Sequence, residues 1–226
     1  MTPTPSVTAT LAPTASATSA PTVTPSPTPS QSPHPQCQLF FLPLDTVLVL
    51  DRSGSIVENN ALGSMKTAAV GFVEMLIPLR DRVGLVTFND EANVLSDLSS
   101  DLARITAQIN DLTAEGGTDI ASGLRSASAL LGPDKRRPDA RPVIVLLTDG
   151  QNRGDEDELR TLAAEARAHN IRIITIGLGP DINDQLLAEI AFTQADAHLA
   201  PTAAELQVIY QSIAQDLVCA GVPAQP

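Results

Sequence analysis

Oxygen-bearing side chains alternate in the segment DRSGS, Asp51 to Ser55, at the end of an apolar run. The preceding residues, LPLDTVLVL, are apolar enough to form a buried strand that ends at Asp51. Ser53 and Ser55 are predicted to lie in the loop after this strand, where Gly54 allows a tight path between them, so one carboxylate and two hydroxyls can converge on one point. Carboxylate and hydroxyl oxygens are ligands that hard divalent cations prefer. The spacing therefore predicts part of a cation site.

Two later segments are predicted to end at the same edge of a sheet. PVIVLLTDG places Asp149 after a second apolar run, and Gly150 follows for the turn. AEGGTDI places Thr118 just before a helical pattern, with Gly116 and Gly117 giving its loop room to approach. The combined set contains two carboxylates, three hydroxyls and no soft ligand. This set favours Mg²⁺, with Mn²⁺ or Ca²⁺ as alternatives.

Short aliphatic runs alternate with amphipathic runs along the chain. The runs predicted as strands of a covered parallel sheet are DTVLVL, VGLVTF, PVIVLLT and IRIITIGL. Helical spacing covers residues 61–77, 101–112, 119–131, 156–169, 183–192 and 202–217. Helix N-caps are predicted at Ser100 or Asp101, Asp155, Asn183 and Thr202.

Two further strands complete the predicted sheet. ANVLS follows VGLVTF closely, with residues 89–91 as the turn, and is predicted to return as a hairpin at a sheet edge, while AHLAP forms a short last strand. The elements predict an α/β fold, a doubly wound and mostly parallel sheet of about six strands with one antiparallel edge strand and helices on both faces. Ligands bind such sheets at the carboxyl ends of the strands, where the strand order reverses.

The motifs resemble those of von Willebrand factor A domains. Asp51, Ser53, Ser55, Thr118 and Asp149 match the D-x-S-x-S, T and D elements of the metal ion-dependent adhesion site (MIDAS) of that family. The resemblance extends from about Asp45 to Leu217. It implies that Ser53 and Ser55 coordinate the ion directly, while the other three residues do so directly or through water. It also implies that a partner's Asp or Glu side chain completes the coordination shell.

Loop residues around these positions are predicted to set partner specificity. The predicted rim is Arg52, Asn89, Asp90, Glu91, Glu115, Asp119, Gln151, Asn152 and Arg153. Arg52 and Arg153 are placed to steer an acidic ligand towards the ion. The acidic run 154–158 is expected to satisfy the positive end of the following helix. The basic run KRRPDAR, 135–141, precedes a strand, so we expect a solvated loop at the opposite edge of the sheet.

Charge and composition exclude several function classes. The chain of 226 residues has 26 acidic and 14 basic residues, a net charge of −12, which disfavours nucleic-acid binding and anionic membrane surfaces. No run approaches the ~18 apolar residues that a transmembrane helix needs, and the first residues lack a secretory signal pattern. We therefore expect no membrane insertion by this segment. The protein is either cytosolic or, as we favour, part of a larger polypeptide, and we expect the domain to be monomeric.

Residues 1–36 are rich in Thr, Pro and Ser and contain no Asp, Glu, Lys or Arg. Such a segment is expected to be a disordered or extended stalk, either O-glycosylated or a bare spacer. The domain is predicted to span 37–219, with a tail at 220–226. Its two cysteines, Cys37 and Cys219, bracket the domain, so we favour a disulfide over two unrelated thiols, and a disulfide places the domain at an extracellular or cell-surface location. In several family members the last helix slides on ligand binding, and this disulfide would restrict such a movement.

Two other functions are compatible with these motifs. An Mg²⁺ site at strand ends also serves phosphoryl transfer, and related domains occur in ATPase and chelatase assemblies. However, the chain has no GxxxxGK[ST], no GxSxG and no histidine placed to activate a nucleophile, so no enzymatic activity is expected. A structural or assembly module of a surface fibre or pilus-like complex is the other alternative to adhesion.

Overall fold

The structure is a computed structural model that describes residues 42–150, 152–180 and 182–219. Its strands are β1 (Leu44–Asp51), β2 (Arg82–Phe88), β3 (Ala92–Ser99), β4 (Arg141–Thr148), β5 (Arg172–Leu178) and β6 (Ala197–Ala200). Its helices are α1 (Gly54–Glu58), α2 (Leu62–Met75), α3 (Leu102–Asn110), α4 (Ile120–Leu130), α5 (Glu156–Ala168), α6 (Asp184–Ile190) and α7 (Ala203–Cys219). A short 3₁₀ turn covers Gln194–Asp196.

The strands form one six-stranded sheet in the order β3-β2-β1-β4-β5-β6. Only the pairing of β3 with β2 is antiparallel, and β1, β2, β4, β5 and β6 are parallel. Every residue of β1 is buried, because helices cover both faces of the sheet. One core contains side chains of α2, α3 and α7, and the other contains side chains of α4, α5 and α6. The predicted α/β fold class is confirmed.

The helix starts follow the predicted caps. Asp101, rather than Ser100, accepts the backbone N–H of Arg104 at 3.1 Å. Asp155 accepts the N–H of Asp157 at 2.8 Å and so caps α5, as the acidic run predicted. Asn183 and Thr202 accept in the same way at the starts of α6 and α7. These polar side chains satisfy backbone donors that the first helical turn leaves unpaired.

Two local predictions were wrong. Ser55 does not lie in a loop, because residues Gly54–Glu58 form the short helix α1 directly after Ser53. The run 135–141 is not merely a solvated loop, because Arg137 donates to the carboxylate of Asp45 at 2.8 Å and to the carbonyl of Leu44 at 2.9 Å. This contact anchors the run to the amino end of β1.

Several predictions concern residues outside the described part of the chain. They are the stalk, the tail, Gln151, and the disulfide that involves Cys37, and all of them stay predictions. The expected restriction of the last helix depends on that disulfide and also stays a prediction. None of the helices in the described part combines the length and the apolarity needed to cross a membrane.

Candidate metal centre

The candidate metal residues follow two neighbouring strands. β1 and β4 are adjacent and parallel, with Leu50 opposite Leu147, so Asp51 and Asp149 lie at the same carboxyl edge. The chain continues from β1 to β2 on one side, while β4 lies on the other side. This point is where the strand order reverses, and it is the position at which doubly wound sheets bind ligands.

Hydrogen bonds join the two carboxylates through the serines. Asp51 Oδ1 accepts the backbone N–H of Ser53 at 2.8 Å. The Oγ atoms of Ser53 and Ser55 are 2.9 Å apart, and Ser55 Oγ donates to Asp149 Oδ1 at 2.7 Å. Asp51, Ser53 and Asp149 are buried, whereas Ser55 is partly exposed. The four side chains therefore form one connected cluster of oxygen atoms that opens to solvent at Ser55.

Thr118 reaches the same cluster through a glycine contact. The carbonyl of Gly116, a residue with a φ of +84°, accepts the N–H of Gly54 at 3.0 Å and fixes the loop against α1. A Cβ atom at Gly150 would lie 3.5 Å from both Ser55 Oγ and Thr118 Oγ1. The hydroxyls of Ser55 and Thr118 therefore lie at equal distances from the space beside Gly150, at the carboxyl ends of β1 and β4. All five predicted metal residues converge on this edge of the sheet.

The electrostatics of the cluster are unusual because its carboxylates have no cationic partner. Burial raises the pKa of Asp51 from 3.8 to about 6, although hydrogen bonds from Thr148 and Ser53 act in the opposite direction. The negative charge of Asp149 also raises this pKa. None of the ion pairs between described residues involves Asp51 or Asp149.

Two supporting residues were missed by the sequence analysis. Thr148 Oγ1 donates to Asp51 Oδ2 at 2.5 Å, and Asn59 Nδ2 donates to Asp149 Oδ2 at 3.0 Å. The position of Thr148 beside Asp149 was a usable signal, since strand-end neighbours share the site. Asn59 gave no such signal, because its contact depends on the end of α1, which was not predicted.

The rim residues divide into exposed and structural ones. Arg52 lies with its guanidinium Nη1 3.8 Å from Glu115 Oε1, and Asp90 and Glu91 are exposed. Asn89 instead donates its amide to the carbonyl of Glu115 at 2.9 Å, holding the β2–β3 turn against the Thr118 loop.

The remaining described rim residues also make structural contacts. Asp119 caps α4 by accepting the N–H of Ser122 at 3.2 Å. Asn152 Oδ1 accepts the N–H of Ile120 at 3.1 Å, and the backbone N–H of Arg153 donates to the Thr118 carbonyl at 2.9 Å. The side chain of Arg153 stays exposed. These contacts make Asp119 and Asn152 parts of the support for Thr118.

In the part of the chain that the structure describes, no group of three or more His, Cys, Asp and Glu side chains is arranged to hold a metal ion. The cluster at the sheet edge instead combines two carboxylates with three hydroxyls. Such a set suits a hard divalent cation with oxygen ligands and leaves room for a ligand from outside the chain.

Comparison with known proteins identifies the family. The family model for the von Willebrand factor type A domain matches residues 45–212. The uncharacterized protein sll0103 of Synechocystis is 35% identical over 153 residues, 66% of this chain and 36% of that protein. Calcium-activated chloride channel regulator 1 of Macaca mulatta is 36% identical over 144 residues, 62% of this chain and 15% of that protein.

A solved structure extends the comparison to the fold. Proximal thread matrix protein 1 from the mussel byssus, with a zinc-occupied MIDAS motif, is 27% identical with a TM-score of 0.71. The match covers 80% of this chain and 46% of that chain, so each of the three relatives is matched over less than half its length. Since the family model covers most of the chain, this chain belongs to the von Willebrand factor type A domain family, whose adhesion sites bind divalent cations.

Proposed function

We propose that this chain is an extracellular, metal-dependent protein-binding domain with a complete metal ion-dependent adhesion site. The observation that carries the proposal is the pair Asp51 and Asp149, two buried carboxylates that form no ion pair with any described residue and are linked to the hydroxyls of Ser53 and Ser55. Burying carboxylates without a cation is costly. A divalent cation from solution removes that cost, and the surrounding oxygens suit it as ligands.

Each of the five residues has a role in this proposal. Ser53 and Ser55 contribute hydroxyl oxygens to the ion directly. Asp51, Thr118 and Asp149 hold the ion directly or through water. A bound ion would offer its remaining coordination position to an acidic group of the partner. Two carboxylates balance the charge of a divalent cation, so an incoming Asp or Glu meets no net negative charge at the site.

We propose Mg²⁺ as the physiological ion, because every side chain of the cluster offers oxygen and none offers nitrogen or sulfur. The zinc reported in the mussel thread matrix protein is consistent with a site of this kind accepting other divalent ions, including Mn²⁺. The chain is proposed to perform no covalent chemistry.

The experiment that tests the proposal is calorimetric titration of the chelator-treated protein with Mg²⁺ and, separately, Mn²⁺. Wild-type protein is compared with Asp51→Ala, Thr118→Ala and the control Asp134→Ala, which removes an exposed carboxylate from the α4–β4 loop. We expect one saturable site that is lost in Asp51→Ala, weakened in Thr118→Ala and unchanged in Asp134→Ala. Absence of binding of either ion to the wild-type protein would contradict the proposal.

The proposed partner is a protein that presents an Asp or Glu side chain at its surface. Arg52 and the exposed Arg153 lie beside the cluster and favour the approach of an acidic group, although the chain carries a net charge of −12. Nucleic acid is not expected as a partner, because the overall charge repels phosphates.

A second candidate function is an assembly module of a surface fibre, in which the ion stabilises the fold. The similarity to a byssal thread matrix protein favours this alternative. Chelator treatment separates the two functions. Both roles predict that chelator lowers the melting temperature, because an ion bound only by the folded protein stabilises it, but only adhesion predicts that chelator abolishes the binding of a partner that presents an Asp or Glu.

A further inference from the structure

A groove beside the candidate metal centre lies between the open edge of the sheet and the end of α3. Its volume is about 360 Å³. We name it the edge groove, and it is lined by Arg52, Thr87, Asn93, Leu95, Gln108, Asp111, Leu112 and Thr113. Arg52 directly follows Asp51, and Thr113 belongs to the loop that leads to Thr118. The edge groove therefore adjoins the position where a partner's acidic side chain would meet the ion.

An irregularity in β3 shapes the floor of the edge groove. Leu85 pairs with Ser96 and the next residue, Val86, pairs with Val94, so Leu95 is an extra residue in the edge strand. Such bulges bend a strand and redirect its side chains. The Leu95 carbonyl accepts Gln108 Nε2 at 2.8 Å, and the Leu95 side chain is 36% exposed. Leu95 thus offers an apolar contact next to the side-chain amide of Gln108.

Gln108 leaves one polar atom of the edge groove without a partner. Its Nε2 is used by Leu95, whereas its Oε1 is buried and accepts no hydrogen bond from any described residue. A buried acceptor without a donor costs stability, and most such atoms in native proteins find one. Gln108 lines the edge groove but its Oε1 is closed to solvent, so a ligand N–H group supplies the missing bond once the Gln108 side chain turns Oε1 into the groove.

Arg52 brings a positive charge to the same groove. Its side chain is 19% exposed, and its described ion pair is with Glu115, at 3.8 Å and with 79% of the Glu115 side chain exposed. This separation exceeds a hydrogen bond, so the guanidinium donors can turn to an acceptor on a ligand. The backbone of Arg52 is fixed, because its N–H donates to Phe88 and its carbonyl accepts from Glu115.

We propose that the edge groove binds an extended segment of the protein partner on one side of the acidic residue that reaches the ion. The inference rests on the proposed function and names the partner chemistry. A peptide group carries one donor and one acceptor, which match Gln108 Oε1 and the Arg52 guanidinium. An apolar side chain of the same segment covers Leu95. The partner is therefore recognised by an acidic residue followed or preceded by an extended, apolar stretch.

Selection from a displayed library of nine-residue peptides with a central Asp or Glu provides the test. The library is selected on the Mg²⁺-loaded full chain, and the recovered peptides are titrated against wild-type protein, Gln108→Leu, Arg52→Ser and the control Gln185→Leu. Gln185 lies on α6, against the opposite face of the sheet. We expect dissociation constants about tenfold higher in Gln108→Leu and in Arg52→Ser, and no change in the control.

The outcomes separate the groove from the metal site. Mg²⁺ affinity, measured by calorimetry, should be the same in Gln108→Leu and wild-type protein. Peptides that need Mg²⁺ but bind Gln108→Leu and Arg52→Ser as tightly as wild type would contradict binding in the edge groove and would leave the proposed function intact. Recovery of no peptide would also overturn the edge groove. Peptides that bind equally well in chelator would contradict the proposed function itself.

Discussion

β1 has an aspartate near each end, and the carboxylates of these two residues have different hydrogen-bond partners. Asp45 and Asp51 both have no exposed surface. Asp45 accepts hydrogen bonds from Arg82 Nε at 2.9 Å and from the Arg137 guanidinium at 2.8 Å. Asp51 accepts from the Ser53 backbone and the Thr148 hydroxyl, and its carboxylate forms no ion pair with any described residue. Among the described residues, arginines therefore pair with the carboxylate at the amino end of the strand and not with the one at the carboxyl end.

The pKa values of Asp45 and Asp51 shift in opposite directions as a result. Burial would raise the pKa of Asp45, but the hydrogen bonds and charges of Arg82 and Arg137 outweigh it and lower the pKa. Burial raises the pKa of Asp51 to about 6, because no cationic side chain opposes it. Two carboxylates that are closed to solvent thus have pKa values shifted in opposite directions, because only Asp45 has arginine partners and Asp51 lies deeper in the protein. The comparison indicates that the amino end is built for stability, and it supports our proposal that the carboxyl end takes an ion from solution.

The largest expected effect is at the amino end. Asp45→Asn should lower the free energy of unfolding by about 3 kcal/mol, because it leaves Arg82 and Arg137 partly buried without their counter-charge. Urea unfolding in chelator measures the effect, with Asp97→Asn as control. The Asp97 side chain is 81% exposed, and its carboxylate lies as far as 3.9 Å from Lys135 Nζ. The loss of this weak surface ion pair should cost less than about 1 kcal/mol. Equal effects of the two substitutions would contradict the structural role of Asp45.

The same substitution at the other end of β1 should have the opposite sign. Asp51→Asn should raise the free energy of unfolding of the metal-free protein by about 2 kcal/mol at pH 7, because avoiding the buried charge gains about 3 kcal/mol and losing one of the two accepted hydrogen bonds costs about 1 kcal/mol. Stabilisation by added Mg²⁺ should vanish in the same variant. Urea unfolding with and without Mg²⁺ measures both quantities. If Asp51→Asn destabilises the metal-free protein as much as Asp45→Asn, the two ends do not differ in the way we infer.

The sequence predicted the carboxyl end of the sheet better than the amino end. Asp51 and Asp149 each follow an apolar run directly, and parallel strands bring such positions to one edge, so local patterns were sufficient there. The caps Asp101, Asp155 and Asn183 were predictable for the same reason, because a cap acts on residues two or three positions away.

Contacts between distant segments were not predictable from local patterns. The pairing of Arg137 with Asp45 joins residues 92 positions apart, and nothing in KRRPDAR distinguishes a buried arginine from a solvated one. The bulge at Leu95 was also invisible, because ANVLS reads as a regular strand. α1 was missed because five residues are too short for a helical period to show.

The pH dependence of stability sharpens the contrast at Asp51. A carboxyl group with a folded pKa of about 6 and an unfolded value near 3.8 binds more protons in the folded state between these two pH values. Its contribution to stability is therefore present at low pH and declines as the pH rises from about 4 to about 6. The slope is at most about 1.4 kcal/mol per pH unit, and the contribution is constant above that range.

The measurement is the unfolding free energy of wild-type protein minus that of Asp51→Asn, determined across this pH range in chelator. This subtraction removes the contributions of other groups, including Asp45, whose lowered pKa acts with the opposite sign. Saturating Mg²⁺ should abolish the decline, because a bound ion keeps the carboxylate ionised. A difference that rises with pH, or does not change, would contradict the raised pKa of Asp51.

The smallest expected effect concerns the support of Asp149. Asn59 donates to Asp149 Oδ2 at 3.0 Å, while Ser55 donates to Oδ1, so both carboxylate oxygens are held in place. Asn59→Ala removes one of these bonds and should weaken Mg²⁺ binding about fivefold, equivalent to about 1 kcal/mol. The melting temperature should change little, because Asn59 is exposed. Calorimetric titration with Mg²⁺ measures the affinity.

Asn60→Gly is the matched control for Asn59. Asn60 has a φ of 52°, a left-handed conformation that glycine adopts readily, so the substitution removes the neighbouring amide without straining the backbone. Mg²⁺ affinity should be unchanged in this variant. Equal losses in the two variants would mean that the end of α1, rather than the Asn59 amide, sets the position of Asp149. An unchanged affinity in Asn59→Ala would mean that Ser55 alone holds this carboxylate for the ion.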